Sequence, residues 1–340
     1  VKIIGHEKAA SFFQGALKKG SLTHAYLMTG PPHVGKMTLA RFLARLLNCE
    51  AAEPPCGECP QCRKIDTGSH PDVQVIGLVQ NENTEAKLIS IEQVKEIQHS
   101  ASLPPFEGKC KVFVIDGAEL LSVEAANRLL KTLEEPEDKV VFVLLTMNQN
   151  LLPETVISRC QHIELRPLPP VVIETVLTAE GVMEKPRAGL LARLSHGCPG
   201  WALQAAGDGS LLRQREEEMD RLAAAVEGGR EERFEYAVRL AARYPQHRAD
   251  VHNVLDLWLD YWRDLLLVKA GCPADLLTNI DRIDKIRETA PHYSLAGIKG
   301  FIGTTREAGE QLSQNANPRL VLEVMMLDIP ERREIAGTTR

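Results

Sequence analysis

The chain is 340 residues long, 44% apolar and 5% aromatic, with a formal net charge of −6. That length suits two or three domains with ordinary cores, and the mild negative charge with so few rings excludes a chain that grips nucleic acid alone through a basic, ring-lined face. Apolar runs such as Leu265-Leu266-Leu267-Val268 fall far short of the ~20 residues of a membrane span, and the chain does not open on a signal-peptide pattern, so the expected location is cytoplasmic.

In chain order, short apolar runs at 25–29, 73–76, 111–115, 140–145 and 162–165 predict buried strands. Helical patterns lie between them, among them 37–48 and 122–134, and the alternation predicts a mainly parallel sheet covered on both faces. Past Pro167 the strands stop. Residues 170–205 read as a few short helices, Ala206-Gly207-Asp208-Gly209-Ser210 as a linker, and 211–330 as long helices. Within 249–270, Val251, Val254, Leu255, Trp258, Leu259, Trp262 and Leu265 share one helical face, which is either a bundle core or a contact with another subunit.

The first strand runs into Gly30-Pro31-Pro32-His33-Val34-Gly35-Lys36-Met37-Thr38, a strand, a glycine-bearing turn and a helix. Backbone amides and a helix N-terminus then converge on phosphate oxygens, and Lys36 adds positive charge. The residue after the lysine ordinarily carries a hydroxyl that holds magnesium, and here it is Met37. Thr38 lies one residue further, rotated by ~100° on the helix, and is a doubtful substitute. A nucleotide site also needs acidic groups closing a neighbouring strand. Val112-Phe113-Val114-Ile115 does end in Asp116, but the water-polarising glutamate expected next is Gly117. Glu119, two residues on, is expected to point elsewhere, and Asp116 itself can be read as no more than a helix cap.

Eight cysteines are present, and four fall in Cys49-x6-Cys56-x2-Cys59-x2-Cys62. Four thiolates at this spacing close a tetrahedral shell without an open position, which suits a structural zinc; redox chemistry and free thiols are the alternatives. Cys110, Cys160, Cys198 and Cys272 are scattered and read as buried small residues.

Several long motifs occur in one order: Thr23-His24-Ala25-Tyr26-Leu27 before the loop, the cysteine cluster after it, Leu129-Leu130-Lys131-Thr132-Leu133-Glu134-Glu135-Pro136, and Leu152-Pro153-Glu154-Thr155-Val156-Ile157-Ser158-Arg159-Cys160. Together they resemble the clamp-loader subunits of bacterial DNA polymerase III, a branch of the AAA+ group. The likeness is dense over 1–167 and looser beyond, where Asn315-Ala316-Asn317-Pro318-Arg319-Leu320 resembles the family's collar. The resemblance implies an α/β plus all-α fold: an AAA+ P-loop domain with a parallel sheet over 1–167 bearing a zinc-binding insertion at 49–62, a small helical lid over 168–207, and a helical collar for oligomerisation over 208–340. It supports zinc on Cys49, Cys56, Cys59 and Cys62. It also implies partners: the motor subunits gamma and tau, the delta subunit and, through the complex, the sliding clamp and primer-template DNA.

Four departures bear on activity. Met37 and Gly117 replace the family's hydroxyl and glutamate, Met147 stands at its polar first sensor with Thr146 adjacent, and Gly200 stands where an active member offers a second-sensor arginine. They point to a nonmotor member, with Gly30, Gly35, Lys36, Thr38 and Asp116 forming a degenerate nucleotide site whose ATP or ADP binding is weak or absent. Arg159 at the end of a short helix can be a surface ion-pair partner; the resemblance implies instead an arginine finger offered in trans to a neighbour's ATP. Two further readings stay open. One is a motor ATPase in which Thr38 and Glu119 rescue the site; the other is a zinc-bearing P-loop repair protein.

Overall fold

The computed structural model describes residues 3–78, 80–81, 84–85, 88–179 and 183–333. The chain divides into two units: one runs to Val176 and takes in Ser195–Trp201, and the other comprises Leu177–Leu194 and the chain from Ala202.

In the first unit the order is α1 (Glu7–Lys18), β1 (Ala25–Thr29), α2 (Lys36–Asn48), α3 (Pro60–Thr67), β2 (Val73–Ile76), the short pair β3 (Gln80–Asn81) and β4 (Thr84–Glu85), α4 (Ile91–Ala101), β5 (Lys111–Asp116), α5 (Val123–Glu134), β6 (Val140–Thr146), α6 (Glu154–Ile157), β7 (Gln161–Glu164) and α7 (Pro170–Thr178). Five strands form one sheet in the order β2-β5-β6-β1-β7, and every neighbouring pair is parallel. Successive side chains of a strand point to opposite faces, and here both faces are covered. Tyr26, Met28, Val112, Val114, Val141 and Val143 pack with α1 and α2 residues such as Phe13, Leu39 and Leu43. Ala25, Leu27, Phe113, Ile115, Phe142 and Leu144 pack with Val94 and Ile97 of α4 and Leu129 and Leu133 of α5. That two-sided burial is why these strands read as unbroken apolar runs rather than as alternating ones. Ser90 closes a capping box with Gln93 at the start of α4, and Ser122 caps α5, so both helices start where the sequence supplies an acceptor.

The remaining helices are α8 (Lys185–Leu194), α9 (Pro199–Gly207), α10 (Gly209–Glu227), α11 (Arg230–Arg243), α12 (Arg248–Lys269), α13 (Ile283–Thr289), α14 (Leu295–Ser313) and α15 (Pro318–Leu327). The α12 face identified from its spacing is a core: Trp258 and Trp262 are fully buried and both lie against Phe301 of α14, at ring-centroid distances of 5.7 and 4.7 Å. Trp258 Nε1 donates to the Tyr236 hydroxyl at 3.1 Å, which donates to Glu218 at 2.8 Å, so the polar handles of Trp258 and Tyr236 are satisfied inside the bundle, whereas the buried Trp262 Nε1 has no hydrogen-bond partner among the described residues. The expected linker at 206–210 is shorter than anticipated. One residue, Asp208, separates α9 from α10, and its carboxylate accepts from the Ser210 N–H as an N-cap; the glycines on either side flank a cap instead of opening a flexible stretch. Among the described residues no helix is long and apolar enough to cross a membrane.

Candidate functional site

The loop after β1 borders a cavity of about 440 Å³ that Lys36, Met37, Thr38, Asp116, Glu119 and Met147 help to line. Parallel pairing produces this convergence. Thr29 at the end of β1 is in register with Thr146 at the end of β6, and Asp116 at the end of β5 with Leu145, so three strand ends open on one place. Lys36 folds back over the loop, its Nζ donating to the carbonyls of Gly30 at 2.5 Å and Pro31 at 2.8 Å. Burial lowers the Lys36 ammonium from its ordinary value, while Glu119 and Asp116 pull it back up.

One expectation about this site is corrected. Glu119 does not point elsewhere: it lines the cavity, and its Oε1 accepts from the Met147 N–H at 3.2 Å. The cause is Gly117. Its φ of 75° is left-handed, a conformation costly for any residue with a Cβ, and it starts a one-turn 3₁₀ helix (Ala118–Leu120) that brings Glu119 round. The same backbone explains why a glutamate does not sit at 117. Glu119 Oε2 is buried with no hydrogen-bond partner among the described residues. Thr38, a candidate from the sequence, lines the cavity beside Met37, whose side chain also packs on the apolar layer above the sheet. At the first-sensor position Met147 is 58% exposed, whereas Thr146 is buried and its hydroxyl accepts from the Asn148 N–H.

Gly200, at the start of α9, also borders the cavity, and its N–H donates to the His33 carbonyl at 2.9 Å. A Cβ at 200 would lie 2.8 Å from that carbonyl oxygen. Only glycine fits this approach. Across the loop His6 Nε2 donates to the Val34 carbonyl at 3.0 Å. Sequence reasoning missed His6 entirely, because nothing in its local pattern marks a bond across 28 residues.

Arg159 does not line the cavity. It sits just past the end of α6, partly exposed, with its guanidinium donating to Glu134 at 2.5 Å and to the Thr155 carbonyl at 2.8 Å. Both partners belong to motifs singled out in the sequence, although the pairing itself was not anticipated.

The sulfurs of Cys49, Cys56, Cys59 and Cys62 all lie within 4.8 Å of one another, so the four can hold one metal ion. Cys49 follows α2 and Cys62 lies in α3, and both are buried. Backbone N–H groups point at the sulfurs: Ala51 and Cys56 donate to Cys49, and Glu58 and Cys59 donate to Cys56. The donors from Glu58 and Cys59 hold the Cys56 thiol below its ordinary value. Burial opposes ionisation of Cys59, but the Glu50 and Cys62 backbone bonds prevail and bring it to about 6. Burial pushes Cys62 up to about 12. Amide donors that stabilise thiolate are what a thiolate-bound cation requires.

The segment ahead of β5 is tied to the chain on either side of this module. Asp72, 3% exposed, accepts the N–H groups of Phe106, Glu107 and Gly108, and Asn48, 1% exposed, accepts those of Lys109 and Cys110. Five consecutive amides just ahead of β5 thus end on two buried side chains, one of them the last residue of α2.

Residues 5–169 match the family model described as DNA polymerase III, delta subunit. The chain is 36% identical over 225 residues to DNA polymerase III subunit tau of Escherichia coli, covering 62% of this chain and 34% of that protein. It is 28% identical over 317 residues to DNA polymerase III subunit delta' of Bacillus subtilis, covering 93% of both. The chain therefore spans about a third of the tau relative and nearly all of the delta' relative. Among solved structures it is similar to a DNA polymerase III gamma subunit-related protein of Thermotoga maritima, with 15% identity, a TM-score of 0.45, and coverage of 96% of this chain and 100% of that one.

Proposed function

We propose that the chain is a member of the AAA+ clamp-loader family of bacterial DNA polymerase III and that within it the chain serves as a nonmotor subunit of the delta-prime type. In this role it supports the ATP-driven loading of the sliding clamp onto primer-template DNA without hydrolysing ATP itself. The observation that carries this reading is the make-up of the cavity. Lys36 and Asp116 remain, but Met37, Gly117, Met147 and Gly200 stand where metal, water and γ-phosphate would be handled. One such change can be compensated. Four together remove the general base and the charge stabilisation that phosphoryl transfer depends on.

Within this reading the division into 1–167, 168–207 and 208–340 gives the AAA+ domain, lid and collar, and the collar joins the chain to gamma or tau and to delta. Arg159 is offered to the nucleotide of a neighbouring motor subunit, where a planar guanidinium neutralises charge on the transferring group. The four cysteines hold a structural zinc. A tetrahedral ion with Zn–S bonds of about 2.3 Å sets sulfurs ~3.8 Å apart, and Cys49 stands 3.5 Å from Cys56 and 3.9 Å from Cys59.

The placement of Thr38 and Glu119 beside the loop favours a second reading, a motor ATPase with substituted ligands. Steady-state ATP hydrolysis by the purified chain separates the two. The expected result is turnover at background, in wild type and Lys36→Ala alike. Turnover in wild type that vanishes in Lys36→Ala establishes the motor and overturns the nonmotor role.

A further inference from the structure

The phosphate loop keeps a specific internal order although the groups for hydrolysis are gone. Its carbonyls are occupied from outside the loop backbone: Gly30 and Pro31 by Lys36, His33 by the Gly200 N–H, and Val34 by His6. The N–H groups of Val34 and Gly35, by contrast, have no acceptor among the described residues. In a planar trans peptide the N–H points opposite to the carbonyl that precedes it. A clamp on the His33 carbonyl therefore fixes the Val34 N–H, and a clamp on the Val34 carbonyl fixes the Gly35 N–H. Two successive free amides held in one direction form the nest that binds an anion.

We propose that His6 and Gly200, both outside the loop's own signature, are positioning residues that hold the loop as a cradle for nucleotide phosphates. The proposal rests on reading the cavity as nucleotide-derived, and it gives the glycine at 200 a purpose. The position from which an arginine would reach a γ-phosphate instead delivers a backbone N–H to the loop, at a separation that no side chain at 200 permits. His6 does the same from the segment ahead of α1.

The test is calorimetric titration of the full-length chain with ADP and, separately, with sodium tripolyphosphate, each with and without magnesium. It is paired with hydrogen exchange read at the Val34 and Gly35 amides. Wild type is expected to bind both probes. His6→Ala and Gly200→Ala are each expected to weaken binding roughly fivefold to tenfold, the effect of one lost preorganising hydrogen bond, and to speed exchange at the two amides with the melting temperature unchanged. His6→Gln, which keeps an N–H donor, should recover most of the affinity. A merely structural role for these residues would move the melting temperature and leave the ratio between His6→Ala and His6→Gln at one. Equal affinities in wild type, His6→Ala and Gly200→Ala overturn the positioning role. Absence of binding in wild type overturns the cradle while leaving the nonmotor reading in place, which only ATP turnover by the pure chain overturns. Should Gly200→Ala fail to fold, the two His6 variants decide alone.

Discussion

Asp72→Asn tests how firmly the segment ahead of β5 is tied down. The wild-type carboxylate takes the Phe106 N–H on Oδ1 at 2.7 Å, and the Glu107 and Gly108 N–H groups on Oδ2 at 2.9 and 2.8 Å. An asparagine that keeps its oxygen toward 107 and 108 retains two neutral bonds and sets its NH₂ against the Phe106 N–H, donor to donor. Hydrogen bonds to a charged acceptor contribute about 1.5–3 kcal/mol and neutral ones about 1, so two weakened bonds and one lost bond sum to about 2.5–7 kcal/mol. Urea unfolding at pH 7 measures this directly. The pH dependence gives an independent check. Burial raises the Asp72 carboxyl, but the three backbone donors outweigh it and hold the group below its ordinary value. A carboxyl lowered on folding adds stability above its unfolded value of ~3.9, and that stability is lost as pH falls through the folded value. The gap between wild type and Asp72→Asn should therefore be widest near neutrality and shrink below about pH 4. A gap under about 1 kcal/mol at pH 7, or one that does not change on acidification, refutes the assignment of these three bonds as the tie.

Freshly purified protein should carry about one zinc per chain, since the four-sulfur shell closes on a single ion; Cys59→Ser should lower the metal content while the sheet's circular-dichroism signal persists, and metal-free wild type would remove the zinc assignment. Arg159→Ala should leave folding and assembly intact yet slow ATP turnover and clamp loading by a reconstituted complex, with Arg159→Lys a poor rescue because an ammonium lacks the guanidinium fork; normal loading by the alanine variant would leave a purely structural subunit. Asn317 Oδ1 caps α15 by accepting from the Arg319 and Leu320 N–H groups, so Asn317→Ala should cost about 1 kcal/mol in chemical denaturation. A change indistinguishable from zero would show that water replaces the cap.

The parts legible in the sequence are those with a local physical cause. Strands buried on both faces must be apolar at every position, and the runs at 25–29 and 140–145 became β1 and most of β6, whereas 73–76 became β2, an edge strand in which Gln74 and Val75 are exposed. The cysteine cluster was legible because its spacing alone brings four sulfurs together. What escaped depended on backbone conformation or on distance along the chain. The direction of Glu119 follows from a left-handed glycine two residues earlier, which no periodicity reports. The bonds from Asp72 and Asn48 span 34 to 62 residues, and the Arg159 partner lies 25 residues back. Such contacts exist only once the sheet has brought the segments together.

The pairing of Arg159 with Glu134 would make the proposed finger an exchange rather than a capture. Glu134 and Glu135 lie at the end of α5, where the helix dipole is negative and carboxylates are unfavourable. Arg159 offsets this together with Lys131 of the same turn, so an anion elsewhere can take the guanidinium only by releasing Glu134 beside Glu135. If Arg159 serves as the proposed finger, its engagement with a neighbour would loosen the last turn of α5 and its release would tighten it. Under that proposal the helix that packs on β5 and β6 would register, by the fraying of its end, whether the site next door is filled.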